Sequence, residues 1–243
     1  MKSLLKIWPI LLISIIAAYF FVDRQLCQFV YDAALPQHLI LLLQRFLGWI
    51  PGIDNNTLPT SRGLISYIVD WPPLLTGLSP FLLLLAAALR PGRGRDLLIL
   101  MSLSLLFTFV MKNDLKWIFS RNWPMTWINN NPSWIRDHVY GFQWFQGNIF
   151  QGNDATGSFP SGHTAVAFAT FLPIGLLYRK TLPYCIALAS AEGFSMILFD
   201  YHFFSDVVAG ALVGITCTLV VRTLLRSSPT VKNANAYGSV MPD

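Results

Sequence analysis

Apolar residues in this chain are gathered into long runs separated by polar connectors. A helix needs around 20 residues to cross a hydrocarbon core of about 30 Å. Six stretches meet or approach that length: Leu4–Val22, Pro72–Leu89, Leu97–Met111, His163–Tyr178, Leu182–Phe199 and Val207–Val221. The third and fourth are short when counted strictly. Each is completed by a stretch containing polar residues, Lys112–Phe119 after the third and Ser158–Gly162 before the fourth. Polar groups near membrane depth are costly and usually functional. The first run resembles a signal peptide, but the bulky, charged Val22-Asp23-Arg24-Gln25 offers no small-residue cleavage site, so a retained span is expected. The pattern predicts an all-α, polytopic membrane protein with six transmembrane helices in a bundle. One domain is expected over 1–228, followed by a disordered tail at 229–243.

Composition sharpens this picture. Of 243 residues, 54% are hydrophobic and only 12% charged, against about 25% charged in soluble domains. A soluble or disordered chain is excluded. The net charge of +5 could suggest nucleic acid, but the cations sit beside apolar runs and form no patch, so none is expected as a partner. With six spans and both ends on one side, ten of the seventeen Lys and Arg fall on the side of the termini, in short connectors and tails against the membrane. The positive-inside rule then makes both termini cytoplasmic. The other face carries 23–71, 112–162 and the turn at Asp200–Ser205. Within the first of these, Leu39–Ile50 is too short to span and suits an interfacial helix. The second is rich in tryptophan (Trp117, Trp123, Trp127, Trp134 and Trp144), as expected of a membrane–water boundary. Cys27, Cys185 and Cys217 have no ligand or redox spacing and read as apolar filler.

Three polar clusters break the apolar pattern, all on that outer face. The first runs from Lys112 to Pro124; Lys112 and Lys116, four apart, share one face of a helix that continues the third span. The second is Gly157-Ser158-Phe159-Pro160-Ser161-Gly162-His163-Thr164. The third is Asp200-Tyr201-His202-Phe203-Phe204-Ser205-Asp206. Cations plus the backbone N–H groups of a helix N-terminus make an anion site, and phosphate suits it best. Gly162 lets that backbone approach a ligand closely. His163 and His202 are the groups here whose ordinary pKa lies near neutrality; one can attack phosphorus while the other protonates the leaving oxygen. Asp206, four residues after His202, can hold the imidazole's other nitrogen. It also sits where a helix N-cap belongs, and capping does not exclude catalysis.

The second and third clusters resemble two signature motifs of the type-2 phosphatidic acid phosphatase (PAP2) superfamily, relatives of the vanadium-dependent haloperoxidases. Pro160-Ser161-Gly162-His163 matches the middle motif, and Ser195, His202 and Asp206 match the last. The resemblance covers about 97–221. It implies a six-span helical fold and a phosphatase working without metal or other cofactor. His202 would be the nucleophile forming a phosphohistidine, Asp206 its orienting partner and His163 the general acid. Ser161, Gly162, Lys116 and Arg121 would hold the phosphate. Two positions depart from the pattern. The first motif's arginine is replaced by Trp123, with Arg121 two residues earlier and facing the same way if the segment is extended. The last motif's arginine is Met196, leaving Lys112 or Arg136 to substitute.

The expected function is hydrolysis of a phosphomonoester or pyrophosphate on a lipid whose tails remain in the bilayer. The enzyme would lie in a bacterial inner membrane, its site on the periplasmic face. No obligate protein partner is evident. Transfer of the phosphoryl group to a lipid acceptor, or a non-catalytic lipid-binding or transport role with a degenerate site, are the alternatives. Glu192, an ionisable residue inside the fifth span, is costly there and is expected to be protonated, paired with a polar group of another span, or part of the site.

Overall fold

The computed structural model describes residues 2–47, 78–125, 132–145 and 157–227, and those residues form nine α-helices without a named strand. They are α1 Lys2–Phe21, α2 Asp23–Asp32, α3 Leu35–Leu47, α4 Ser79–Ala88, α5 Arg93–Phe119, α6 Trp134–Asp137, α7 Gly162–Leu177, α8 Leu182–Leu198 and α9 Phe204–Ser227.

Helix α7 is the hub. Thirteen of its sixteen residues are buried, and three small apolar clusters tie it to its neighbours. Leu177 packs with Leu100 of α5 and Val221 of α9. Val166 and Ala169 pack with Leu105. Ala167 and Phe168 pack with Ala189 of α8. Large apolar side chains such as Ile13 and Ile16 on α1, Leu82 and Leu85 on α4, Val110 on α5 and Phe194 on α8 face outward instead. An apolar exterior around a packed interior is what a hydrocarbon solvent demands, and this is a membrane protein.

Two glycines on α9 set how close the central helices come. A Cβ at Gly210 would lie 2.4 Å from the Ser161 carbonyl oxygen, and one at Gly214 would lie 2.3 Å from that of Ala165. Small residues four apart let two backbones meet without a side chain between them.

The hydropathy pattern expects six spans, of which the described residues hold three or four by length and composition. Among the described residues, α5, the stretch Arg179–Leu198 and α9 are long and apolar enough to cross a membrane. A fourth crossing is counted if the pair Trp8–Phe21 and Asp23–Asp32, bent by 58°, is one broken span. Helices α4 and α7 are apolar but shorter. At 1.5 Å per residue α7 is about 24 Å long, below the hydrocarbon thickness. Its expected completion by Ser158–Gly162 does not extend the helix, because Ser161 caps it. Conversely α5 does continue through Lys112–Phe119, as the polar extension predicts. Of the second expected span, 72–77 lies outside the described residues, as do 48–71, Trp127 and the tail 229–243; of the expected interfacial helix Leu39–Ile50, the part up to Leu47 lies in α3.

Candidate active site

The end of α5, the start of α7, the end of α8 and the start of α9 meet at one end of the bundle, and local sequence fixes how each turns. Helix α8 stops in a Schellman arrangement: the Asp200 N–H donates to the Ile197 carbonyl at 2.9 Å and the Tyr201 N–H to that of Met196 at 2.8 Å. Asp200 takes the left-handed conformation this turn needs, φ 55°, which Asp tolerates better than most residues. The Met196 carbonyl also accepts from the His202 N–H at 3.1 Å. So the position expected to hold an arginine contributes backbone, and its side chain is core, fully buried.

Helix α9 opens with Asp206 as its third residue, not its N-cap. The carboxylate reaches back to accept from the Phe203 N–H at 3.1 Å, half of a capping box. The same oxygen, Oδ2, accepts from the Ser158 hydroxyl and lies 3.6 Å from His202 Nδ1. One carboxylate thus fixes a helix start and an imidazole together. At the head of α7 the Ser161 hydroxyl accepts from the Thr164 N–H and from the Thr164 hydroxyl. The Ser161 N–H donates to the Asp206 carbonyl at 2.9 Å, binding the two helix starts to each other.

The two histidines converge. Their ring centres are 5.8 Å apart, and both residues are buried. Tyr201 meets His163 edge-on at 5.4 Å, and Trp123 tilts over His202 at 5.1 Å. The Nε2 of His202, the nitrogen opposite Asp206, is buried and has no hydrogen-bond partner among the described residues. Burial pushes the His202 imidazole down to about 4, with Lys116 acting in the same direction and the bond to Asp206 against it. The ring is therefore neutral at pH 7.

Lys112 and Lys116 both flank Gly162. A Cβ on Gly162 would lie 3.4 Å from Lys112 Cδ and 3.6 Å from Lys116 Cε. Lys116 also donates to the Gly157 carbonyl, with its ammonium 5.3 Å from the Trp123 ring. The stems of two lysines, the start of a helix and two imidazoles thus neighbour one another, a composition suited to a phosphate dianion. The Lys112 ammonium itself donates to Asn113 Oδ1 at 2.9 Å and lies 5.0 Å from the Phe109 ring. Of the two substitutes for the missing arginine, Lys112 packs its stem against Gly162. Arg136 pairs with its neighbour Asp137 on a partly exposed surface.

Arg121 is placed differently from the expectation that it holds phosphate. It is fully buried. One guanidinium nitrogen donates to Asp206 Oδ1 and, at 2.7 Å, to the Ser205 hydroxyl; the other donates to Asp23 Oδ2 at 2.8 Å. Segment 121–123 is extended, bridged to Phe142 and Ser133. Arg121 and Trp123 accordingly serve the same histidine–aspartate pair, Arg121 at the carboxylate and Trp123 at the ring. Sequence reasoning missed Asp23, Ser158 and Ser205. Asp23 did carry a signal, a lone acid directly after an apolar run. Among the described residues no three His, Cys, Asp or Glu side chains gather as a metal ligand set.

Residues 97–228, more than half of the chain, match the PAP2 superfamily. The chain is 35% identical over 78 residues to a lipid A 1-phosphatase of Rhizobium etli, covering 32% of this chain and 34% of that protein. It is 42% identical over 73 residues to a lipid A 1-phosphatase of Porphyromonas gingivalis, covering 28% and 16%. It is also 42% identical over 64 residues to the bacitracin transport permease protein BcrC of Bacillus licheniformis, covering 26% and 32%. The chain thus spans about a third or less of the length of these curated relatives. No solved structure matches it.

Proposed function

Because this chain belongs to the PAP2 superfamily, we propose that it is a membrane-embedded lipid phosphatase that acts through a phosphohistidine. The observation carrying the reading is the approach of His163 and His202 to 5.8 Å beside the lysine-flanked start of α7. His202 Nε2 attacks phosphorus while its Nδ1 side is held toward Asp206. As the N–P bond forms, the P–O bond to the lipid breaks, and its electron pair leaves on an oxygen protonated by His163. His163, now a base, takes a proton from water. The resulting hydroxide displaces His202 from phosphorus and releases inorganic phosphate. Lys112, Lys116 and the Gly162 backbone neutralise the phosphoryl oxygens throughout, with Ser161 holding that helix start in place. No metal is required by this route.

A phosphate on a lipid headgroup fits a site at the end of an apolar bundle, and a lipid A phosphate is the first candidate because two relatives carry that name. The six-span topology, cytoplasmic termini and periplasmic site belong to this proposal. The name of the Bacillus relative supports the transport alternative; phosphoryl transfer to a lipid acceptor would use the same intermediate. Purified protein in detergent, assayed for phosphate release over a panel of lipid phosphates beside His202→Ala, separates these readings. Release of free phosphate by the native protein alone supports hydrolysis. Label moving only to an added lipid hydroxyl supports transfer, and equal rates for both proteins remove the enzyme.

A further inference from the structure

Asp23 lies outside the segment matched to the family, 98 residues before Arg121 and 183 before Asp206. Yet the three form one buried unit. Arg121 bridges the two carboxylates, all three side chains having no exposed surface. Asp23 is completed by the Ser205 N–H at 2.9 Å, the Ser205 hydroxyl and the Tyr140 hydroxyl at 3.3 Å. The guanidinium is walled by the rings of Tyr19, Tyr140, Phe142 and Phe203, at 4.3–5.3 Å.

The neighbours of Arg121 and those of the oxyanion locus are different sets. Arg121 meets Asp23, Asp206, Ser205 and four rings. The locus is bounded by Lys112, Lys116, Gly162, His163, His202 and Trp123. The buried Nε of Arg121 has no partner among the described residues, but both terminal nitrogens are committed to buried carboxylates. Turning either onto a phosphate would leave a carboxylate unpaired, a strongly unfavourable state. An arginine cannot shed its proton instead. Its effect on the reaction therefore passes through Asp206. With Oδ1 tied to Arg121 and Oδ2 to Ser158 and Phe203, the carboxylate has no rotational freedom and keeps Oδ2 toward His202 Nδ1. Asp23 in turn fixes Arg121 and balances its charge. Two carboxylates and one guanidinium leave one net negative charge behind His202, which suits an imidazole that becomes cationic on phosphorylation.

We propose that Asp23 and Arg121 are positioning residues for the His202–Asp206 pair, so that the bent helix pair α1–α2 completes the active centre. The inference rests on the phosphohistidine reading above. It is tested with full-length protein in detergent, p-nitrophenyl phosphate as substrate and inorganic phosphate as competitive inhibitor. Asp23→Asn keeps shape and accepts the same N–H, leaving Arg121 paired with Asp206, so it is the variant expected to fold. We expect kcat to fall about tenfold or more, with KM and the phosphate inhibition constant within about twofold. In an Asp206→Asn background the same substitution should cost nothing further, because the group it acts through is gone; a merely structural role would cost the same in both backgrounds. A kcat for Asp23→Asn within twofold of native, equal losses in both backgrounds, or an Arg121→Lys variant that weakens phosphate inhibition about tenfold while keeping kcat would each overturn the inference alone. Native protein no faster than His202→Ala would instead remove the phosphatase reading, and this inference with it.

Discussion

An imidazole that attacks phosphorus must carry a lone pair, and the surroundings of His202 favour that form. Its burial lowers the pKa to about 4, so the acid limb of kcat/KM should fall near pH 4 and not near the ordinary 6.5 of histidine; a limb at 6.5 would show that His202 is not the titrating nucleophile. Asp200, two residues earlier, shows the opposite effect. Burial pushes its carboxyl up to about 7, although the Cys27 thiol bonded to it works the other way. The folded chain then binds more protons than the unfolded chain between about pH 4 and 7, so this residue's contribution to stability declines as pH rises through that window. Asp200→Asn, which keeps the left-handed turn, should raise the melting temperature at pH 8 and do progressively less toward pH 4. An equal shift at both ends would assign the effect to something other than ionisation. For the cations, Lys112→Ala and Lys116→Ala should each raise KM about tenfold or more, the value of one charge-assisted bond. Steady-state kinetics checks this, and an unchanged KM for Lys112→Ala would remove it from the locus.

Helices bring these residues together, and the contact of α7 with α9 decides how far apart the two imidazoles lie. His163 is on one and the His202–Asp206 pair opens the other, with Gly210 placed against the Ser161 carbonyl. Gly210→Ala must push the helices apart, at a cost of about 1–3 kcal/mol for overpacking, and should lower activity at least tenfold by separating the rings. Gly94→Ala, which meets nothing within 4 Å, is the control and should leave both melting temperature and turnover intact. Much at this scale was readable in the sequence. Pro160-Ser161-Gly162-His163 announced a helix start because serine caps and glycine permits close approach. The spacing of Lys112 and Lys116 announced a helix running past its apolar part. The role of Arg121 was not readable, because an extended segment tells which residues share a side but not what occupies that side. Only the fold brings Asp23 and Asp206 to it from opposite ends of the chain, and no sequence spacing encodes that meeting.

The whole molecule is a helical membrane protein whose apolar exterior was legible from composition; of the six crossings expected, the described residues hold three or four by length and hydropathy. Hydropathy counts apolar residues without regard to what surrounds them. It therefore scores α7, a short helix enclosed by protein, on the same terms as α5 or α9, which carry apolar side chains facing outward. A reporter fused after Asp243 should behave as cytoplasmic; a periplasmic signal would reverse the proposed sidedness of the site. Phosphate release should survive EDTA, and a loss restored by a divalent ion would contradict direct attack by His202. The most direct test is to trap the intermediate: mix purified protein with a lipid carrying labelled phosphate, quench within the first turnover, and locate the label by peptide mapping. The account predicts label on His202, stable in alkali and lost in acid, absent from His202→Ala. Turnover with no label on His202, or with label on any other residue, would contradict it.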